Sequence, residues 1–224
     1  MNRRPPSVVD DRAQQRPLAG AERLGRARVI LLNGASSSGK STLAAALQQQ
    51  LPVPFLRVGV DDVIAMHPDR RALGWLVPEA GGCRIELKPA GHRLMRAFHA
   101  AVAGFVAAGE RVIVDDMFVH PDLLTGWLDA LAGSRVLLVG VHCSLDEAER
   151  RERAREDRAP GLARGHHQTV HTGCRYDLEL DTTERTSAEC VRVICAAWQA
   201  GIASPAFTFR AAPASGGPLL AGGG

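Results

Sequence analysis

The apolar run Val29-Ile30-Leu31-Leu32 leads through Asn33 into Gly34-Ala35-Ser36-Ser37-Ser38-Gly39-Lys40-Ser41. The spacing G-x-x-x-x-G-K-S constrains the chain more than any other feature, because it is that of a phosphate-binding loop set between a strand and a helix. Two glycines let the backbone wrap so that successive N–H groups point inward at phosphate oxygens. Gly34, Ala35, Ser36, Ser37, Ser38, Gly39, Lys40, Ser41 and Thr42 are therefore the expected nucleotide contacts. Lys40 supplies a point charge for the β- and γ-phosphates of ATP, and the Ser41 hydroxyl suits Mg²⁺. The stretch after it, Thr42-Leu43-Ala44-Ala45-Ala46-Leu47, is strongly helix-forming, and a helix N-terminus favours an anion. A plain Gly/Ser turn is the alternative. Against it, Lys40 and Lys88 are the only lysines, all other basic residues being arginine. A chain this averse to lysine keeps one at the loop position.

A strand-loop-helix start predicts alternation, and the chain supplies it. Strands are expected at Arg28–Leu32, Phe55–Val60, Val112–Asp115, Val136–His142 and Leu178–Leu180. Helices are expected at 40–50, 93–108, 122–131, 146–158 and 187–200. Near-continuous apolar strands mean a sheet covered on both faces, and alternation with helices means parallel pairing. The expected fold is thus α/β: a doubly wound, mostly parallel five-stranded sheet with helices on both faces. Ligands of such sheets bind outside the carboxyl ends of the strands.

At 224 residues the chain is one ordinary domain with tails. Residues 1–26 are rich in Pro, Arg, Gln and Asp without a hydrophobic period and are expected to be a disordered tail. The folded P-loop domain is placed at 27–203, with a lid around 144–165, and Ala/Pro/Gly-rich 204–224 as a flexible end. A net charge of +3 is too mild to point to nucleic acid or an anionic membrane surface. The five cysteines are odd in number and lack C-x-x-C spacing, so they read as reduced thiols. No apolar stretch is long enough for a membrane span, and Arg3-Arg4 has no apolar region after it, making a poor export signal. Cytoplasm is the expected location.

Two strands run into carboxylate pairs at the edge where the loop emerges: Asp61-Asp62 after Val58-Gly59-Val60, and Asp115-Asp116 after Val112-Ile113-Val114. A carboxylate beside a bound triphosphate can hold Mg²⁺ or accept a proton from an attacking hydroxyl. Aspartates there can also be helix N-caps. The residue pattern alone does not separate base from metal ligand.

The densest charge run is Asp146 to Arg158. Glu147–Arg151 and Glu149–Arg153 have the i,i+4 spacing of helix-stabilising pairs, which fits a solvated helix. Arg151, Arg155 and Arg158 fall on one helical face, however, and such a like-charged stripe needs an anion. Phosphoryl transfer needs arginines of this kind to stabilise moving charge. Ala159-Pro160-Gly161 then punctuates the segment as a lid would. Among weaker signals, His166, His167 and His171 form a small cluster in which His167 and His171 have the i,i+4 spacing of some metal sites. No glutamate follows His167 and no third ligand to that pair is evident, which disfavours zinc. Thr186-Ser187-Ala188-Glu189 fits a capping box. Trp127 and Trp198 are expected in the core, and Trp75, between Pro68 and Gly91, is a candidate pocket residue.

These residues together resemble the chloramphenicol phosphotransferases. The resemblance is carried by Val29–Ser41, Leu51-Pro52-Val53-Pro54-Phe55, Val58-Gly59-Val60-Asp61, Val114-Asp115-Asp116-Met117-Phe118 and Val139-Gly140-Val141-His142-Cys143. It continues through Arg151–Arg158, Val170-His171 and Tyr176–Thr183, covering about 28–200. It implies an ATP- and Mg²⁺-dependent kinase that phosphorylates a hydroxyl of a small molecule, with antibiotic inactivation as its role. It implies Asp61 as the base, Lys40 as the loop lysine, and Arg155 and Arg158 as lid arginines. Ser41, Asp115 and Asp116 are the expected metal ligands. Residues 68–91 match only loosely, so another acceptor, a metabolite such as shikimate or a nucleotide sugar as in zeta-toxin-like kinases, is the alternative. A non-catalytic nucleotide switch would not need Asp61 or the lid arginines. A nucleic-acid binder is disfavoured by the acids interleaved with the arginines and by the lack of stacking aromatics.

Overall fold

The structure is a computed structural model, and it describes residues 28–79, 82–155, 160–167 and 169–208. Strand β1 (Val29–Asn33) is buried along its whole length and forms the centre of a five-stranded parallel sheet. It pairs on one side with β5 (Val112–Asp116), which pairs with β2 (Leu56–Gly59). On the other side it pairs with β6 (Val136–His142), which pairs with β7 (Leu178–Asp181). The order β2-β5-β1-β6-β7 is that of the doubly wound sheet expected from the sequence.

Strand period two divides the core into two halves. Ile30, Leu32, Ile113, Leu137 and Val139 face helices α1 (Lys40–Gln50) and α7 (Ser187–Gln199), where Leu43, Leu47, Ile194 and Trp198 meet them. Val29, Leu31, Val112, Val114 and Leu138 face α3 (Pro89–Ala107) and α4 (Pro121–Ala130), against Phe98, Val102, Leu123 and Trp127. Each such side chain contributes roughly 1.5–3 kcal/mol when fully buried. Trp127 and Trp198 are both core residues, as expected. Thr186 and Glu189 form the capping box that opens α7.

Several segments depart from the sequence expectation. The second strand stops at Gly59, and Val60 opens a short helix α2 (Val60–Ala65). Asp62 Oδ2 accepts from the Gly59 N–H at 2.8 Å, which fixes that start. Helix α3 begins at Pro89, where a proline's missing N–H costs nothing. Between them lies an antiparallel hairpin, β3 (Gly74–Glu79) and β4 (Gly82–Leu87), preceded by a single 3-10 turn at Arg70–Ala72. It was not among the expected elements. Pro78 argues against a central strand, but a two-stranded ribbon tolerates it.

The charged helix is shorter than 146–158. Helix α5 (Leu145–Arg153) ends at Arg153, and helix α6 (Leu162–His167) follows. The i,i+4 pair Glu147–Arg151 forms at 2.7 Å, while Glu149–Arg153 is at 4.0 Å. Arg158 and the N-terminal tail lie outside the described residues, as does the side chain of Trp75. At the other end, Ser204 to Thr208 was read as part of a flexible end, yet it packs. Helix α8 (Pro205–Thr208) seats Phe207 in the core, fully buried, with Gly133 N donating to its carbonyl. The apolar aromatic ring extends the folded region past residue 203.

Candidate active site

The loop between β1 and α1 has the backbone of an anion cradle. Ser37 and Gly39 both adopt positive φ, 62° and 92°. At Gly34 a Cβ would stand 2.3 Å from the Val141 carbonyl oxygen, so only glycine fits beneath the loop. Gly39 starts α1 without any side-chain cap, which leaves the first-turn N–H groups pointing into the loop. The Ser36, Ser37 and Ser38 hydroxyls are buried and without a hydrogen-bond partner. Buried polar atoms of this kind ordinarily have partners, so the loop is built for a ligand rich in acceptor oxygens. Lys40 is 8 % exposed, with Nζ donating to the Ala35 carbonyl at 2.8 Å.

The carboxylate pair on β5 separates, because neighbouring strand residues point to opposite faces. Asp115 turns to the loop and accepts from Ser41 Oγ at 2.5 Å. Asp116 turns into the core, accepting from Trp127 Nε1 at 2.6 Å and from the Met117 N–H at 2.7 Å. Burial pushes the Asp116 carboxyl up to about 6, against the pull of those two donors. Of the three residues expected at the metal, Ser41 and Asp115 therefore stand together at the loop, and Asp116 is committed elsewhere.

Asp61, in the first turn of α2, stands between two pockets. The first holds Ser37, Lys40, Ser41, Asp115 and Arg155. The second is apolar, with Ile64, Leu73, Ile85, Met95 and Leu162 in its wall. Ser36, Val60, Asp61 and Met117 line both. The sequence-predicted Arg155 thus reaches the loop pocket even though α5 has ended two residues earlier. Arg151 does not. Its guanidinium donates to the Thr182 carbonyl at 2.7 Å and to Glu147, and so fixes α5 to the end of β7. Thr182 Oγ1 in turn donates to the Ser38 carbonyl at 2.8 Å, which ties the loop to the same point. A third pocket lies there, between Thr42, Leu43, Arg151 and Arg185.

Sequence reasoning missed two anchors. Glu152 is buried and accepts from Gly161 N at 2.8 Å and Ala163 N at 2.7 Å, tying the start of α6 to α5. Asn33 spans three elements: its amide donates to Val170 O at 2.8 Å and Tyr176 Oη at 2.6 Å, and its carbonyl accepts from Phe118 N. Behind it, His171 Nδ1 meets Tyr176 Oη at 2.7 Å and stacks on His142 at 4.0 Å. Burial, then His142, lowers the His171 pKa to about 4. The position of Asn33 just before the loop was its only signal in the sequence. Among the described residues no group of three or more His, Cys, Asp or Glu side chains could hold a metal ion.

A doubly wound parallel sheet with this loop is the fold of the P-loop kinases. A sugar kinase from Janibacter sp. HTCC2649 has the same fold, with a TM-score of 0.58, 13% identity and coverage of 82% of this chain and 99% of that one. So does the Mycobacterium tuberculosis APS kinase CysC in complex with AMPPNP and APS, at a TM-score of 0.57 and 18% identity, covering 76% and 96%. Within that class, residues 27–199 match the family described as "Chloramphenicol phosphotransferase-like protein", and the chain belongs to it. A relative in Mycobacterium tuberculosis strain H37Rv, named "Putative O-phosphotransferase Rv2636", is 34% identical over 196 residues, covering 82% of this chain and 87% of that protein. No helix among the described residues is long and apolar enough to cross a membrane.

Proposed function

We propose that this protein transfers the γ-phosphate of ATP to a hydroxyl group of a small molecule with an apolar body. One observation carries the reading: Asp61 lies on the wall common to the phosphate-binding loop pocket and the apolar pocket. An acceptor in the apolar pocket presents its hydroxyl to Asp61 and to the γ-phosphate at once. Asp61 takes the hydroxyl proton as the acceptor oxygen bonds to phosphorus, and the bond between the γ-phosphorus and the β–γ bridging oxygen breaks to release ADP.

Lys40, Arg155 and Arg158 are assigned to the charge on the moving phosphoryl group. Positioned cations in a site closed to water stabilise such charge far more than cations in bulk water. Ser41 and Asp115 supply the hydroxyl and carboxylate oxygens that suit Mg²⁺, a hard cation that neutralises phosphate charge when bound. The base of the nucleotide is assigned to the pocket between Leu43, Arg151 and Arg185. Leu162 brings the lid onto the acceptor pocket, and water exclusion there favours transfer over hydrolysis.

The apolar wall favours an acceptor with an apolar body, as in chloramphenicol-like compounds, over a nucleotide sugar, and antibiotic inactivation is the role that such an acceptor would imply. ATP as phosphate donor and five free cysteines support a cytoplasmic location. The test is ADP release on addition of ATP and Mg²⁺ to a panel of hydroxylated antibiotics and metabolites. Acceptor-dependent ADP release that disappears in Lys40→Ala supports the reading. Release that is independent of every acceptor, or that survives in Lys40→Ala, overturns it.

A further inference from the structure

The apolar pocket adjoins the hairpin. Ile64, Leu73, Ile85 and Leu87 line both this pocket and a second, wider groove. This groove has a volume of about 510 Å³ and runs along the hairpin face on which Leu76 pairs with Ile85. Leu76 is 44% exposed there, an apolar side chain left facing water. The rim is different in kind. Arg70, Arg71 and Lys88 stand along it, and no acidic residue lines the groove among the described residues.

The local structure keeps these cations at the rim. Asp69 Oδ1 accepts from the Arg71 backbone N–H at 2.9 Å and shapes the 3-10 turn that presents Arg70 and Arg71. Lys88 Nζ donates to the Arg71 carbonyl at 2.7 Å, so its ammonium is held beside the same turn. No carboxylate among the described residues forms an ion pair with either arginine. An apolar floor bordered by three cations is complementary to one chemical class, an apolar molecule ending in an anionic group.

We propose that the acceptor is an amphipathic anion. Its hydroxyl lies at Asp61, its apolar body against Leu73, Ile85 and Leu87, and its acid group at the rim formed by Arg70, Arg71 and Lys88. This inference rests on the phosphotransferase reading and narrows it, since a neutral acceptor such as chloramphenicol leaves the rim unused. Carboxylate, sulfonate and phosphate share the chemistry, and the rim recognises the charge rather than one of them.

The test measures binding and turnover separately on the full chain. Hydroxyaryl alkanoates and ω-hydroxyalkanoates of graded length are each compared with their uncharged primary amides, with chloramphenicol as a neutral reference. Binding is read by calorimetry at low and raised salt, and turnover by ADP release. The acid of at least one pair is expected to bind about threefold to tenfold tighter than its amide, with the advantage shrinking as salt rises. In the double variant Arg70→Gln/Arg71→Gln the advantage is expected to vanish, with an unchanged unfolding midpoint reporting an intact fold. Acids and amides that bind alike, or bind not at all, overturn the proposal, as does a preference that survives the double variant. If acids bind selectively but no compound releases ADP, the phosphotransferase reading fails instead.

Discussion

Ser41 Oγ donates to Asp115 Oδ2 across 2.5 Å, joining the first turn of α1 to the carboxyl end of β5. In the proposed reaction this hydroxyl and carboxylate would hold Mg²⁺, which would offset phosphate charge. Ser41→Ala and Asp115→Asn are each expected to raise the Mg²⁺ concentration for half-maximal rate by about tenfold or more. Asp116→Asn is expected to leave that midpoint unchanged, because its carboxylate already accepts from Trp127 and Met117. A Mg²⁺ titration of ADP release on the three variants checks this. An effect at Asp116 alone would reverse the assignment.

Helices α3 and α4 meet at a buried histidine with its own pH dependence. The His99 ring lies against Trp127, with centroids 4.2 Å apart and planes tilted by 48°, and is 4% exposed. Burial lowers its pKa to about 4, with the nearby Asp122 opposing. A histidine with a depressed folded pKa binds its proton more readily when unfolded, so stability falls as pH drops from about 6.5 to about 4. The contribution is on the order of 3 kcal/mol at most. Asp116, raised to about 6, acts in the opposite sense over much of the same range. The difference in unfolding free energy between wild type and His99→Gln isolates the histidine. It is expected to favour wild type more at pH 7 than at pH 4.5, by denaturant titration at both values; a pH-independent difference would contradict the assignment.

One carboxylate ties the start of α6 to α5. Glu152 accepts from both Gly161 N and Ala163 N, and a glutamine offers one oxygen for two donors. Glu152→Gln is expected to weaken this tie by about 1–3 kcal/mol. Amide exchange at Gly161 and Ala163 should accelerate while the β1 amides keep wild-type protection. Unchanged exchange at both positions would show that other contacts hold α6 to α5.

Arg155 lines the loop pocket, whereas Arg150 is tied to Glu147 at the helix surface. Arg155→Ala is expected to reduce kcat by about 10²-fold or more. Arg150→Ala is expected to be nearly silent. Steady-state kinetics on both variants separates a catalytic arginine from a solvated one, and equal small effects would favour the latter.

The sheet was legible in the sequence because Val29–Leu32, Val112–Val114 and Val136–Val141 are buried on both faces and read as unbroken apolar runs. The phosphate-binding loop was legible because its backbone demands glycine at fixed offsets. The hairpin was not: its alternation, Cys83, Ile85 and Leu87, is short and interrupted on the partner strand by Pro78. Gly81-Gly82 between two such runs was the available signal. Asp115 and Asp116 looked equivalent in sequence, and only the direction of each side chain from β5 separates them. The end of α5 at Arg153 was hidden because Glu152 reads as one more surface charge, while its partners are backbone groups of Gly161 and Ala163.

Asp61 stands on the wall that the loop pocket and the apolar pocket share, and the proposed transfer depends on it. Asp61→Asn keeps the size and removes the basic oxygen, so the most direct measurement is transfer to the best acceptor by this variant, beside calorimetric binding of ATP. The account predicts a kcat loss of about 10²–10⁴-fold with ATP affinity within about threefold of wild type. Retained turnover, or lost ATP binding, would contradict it.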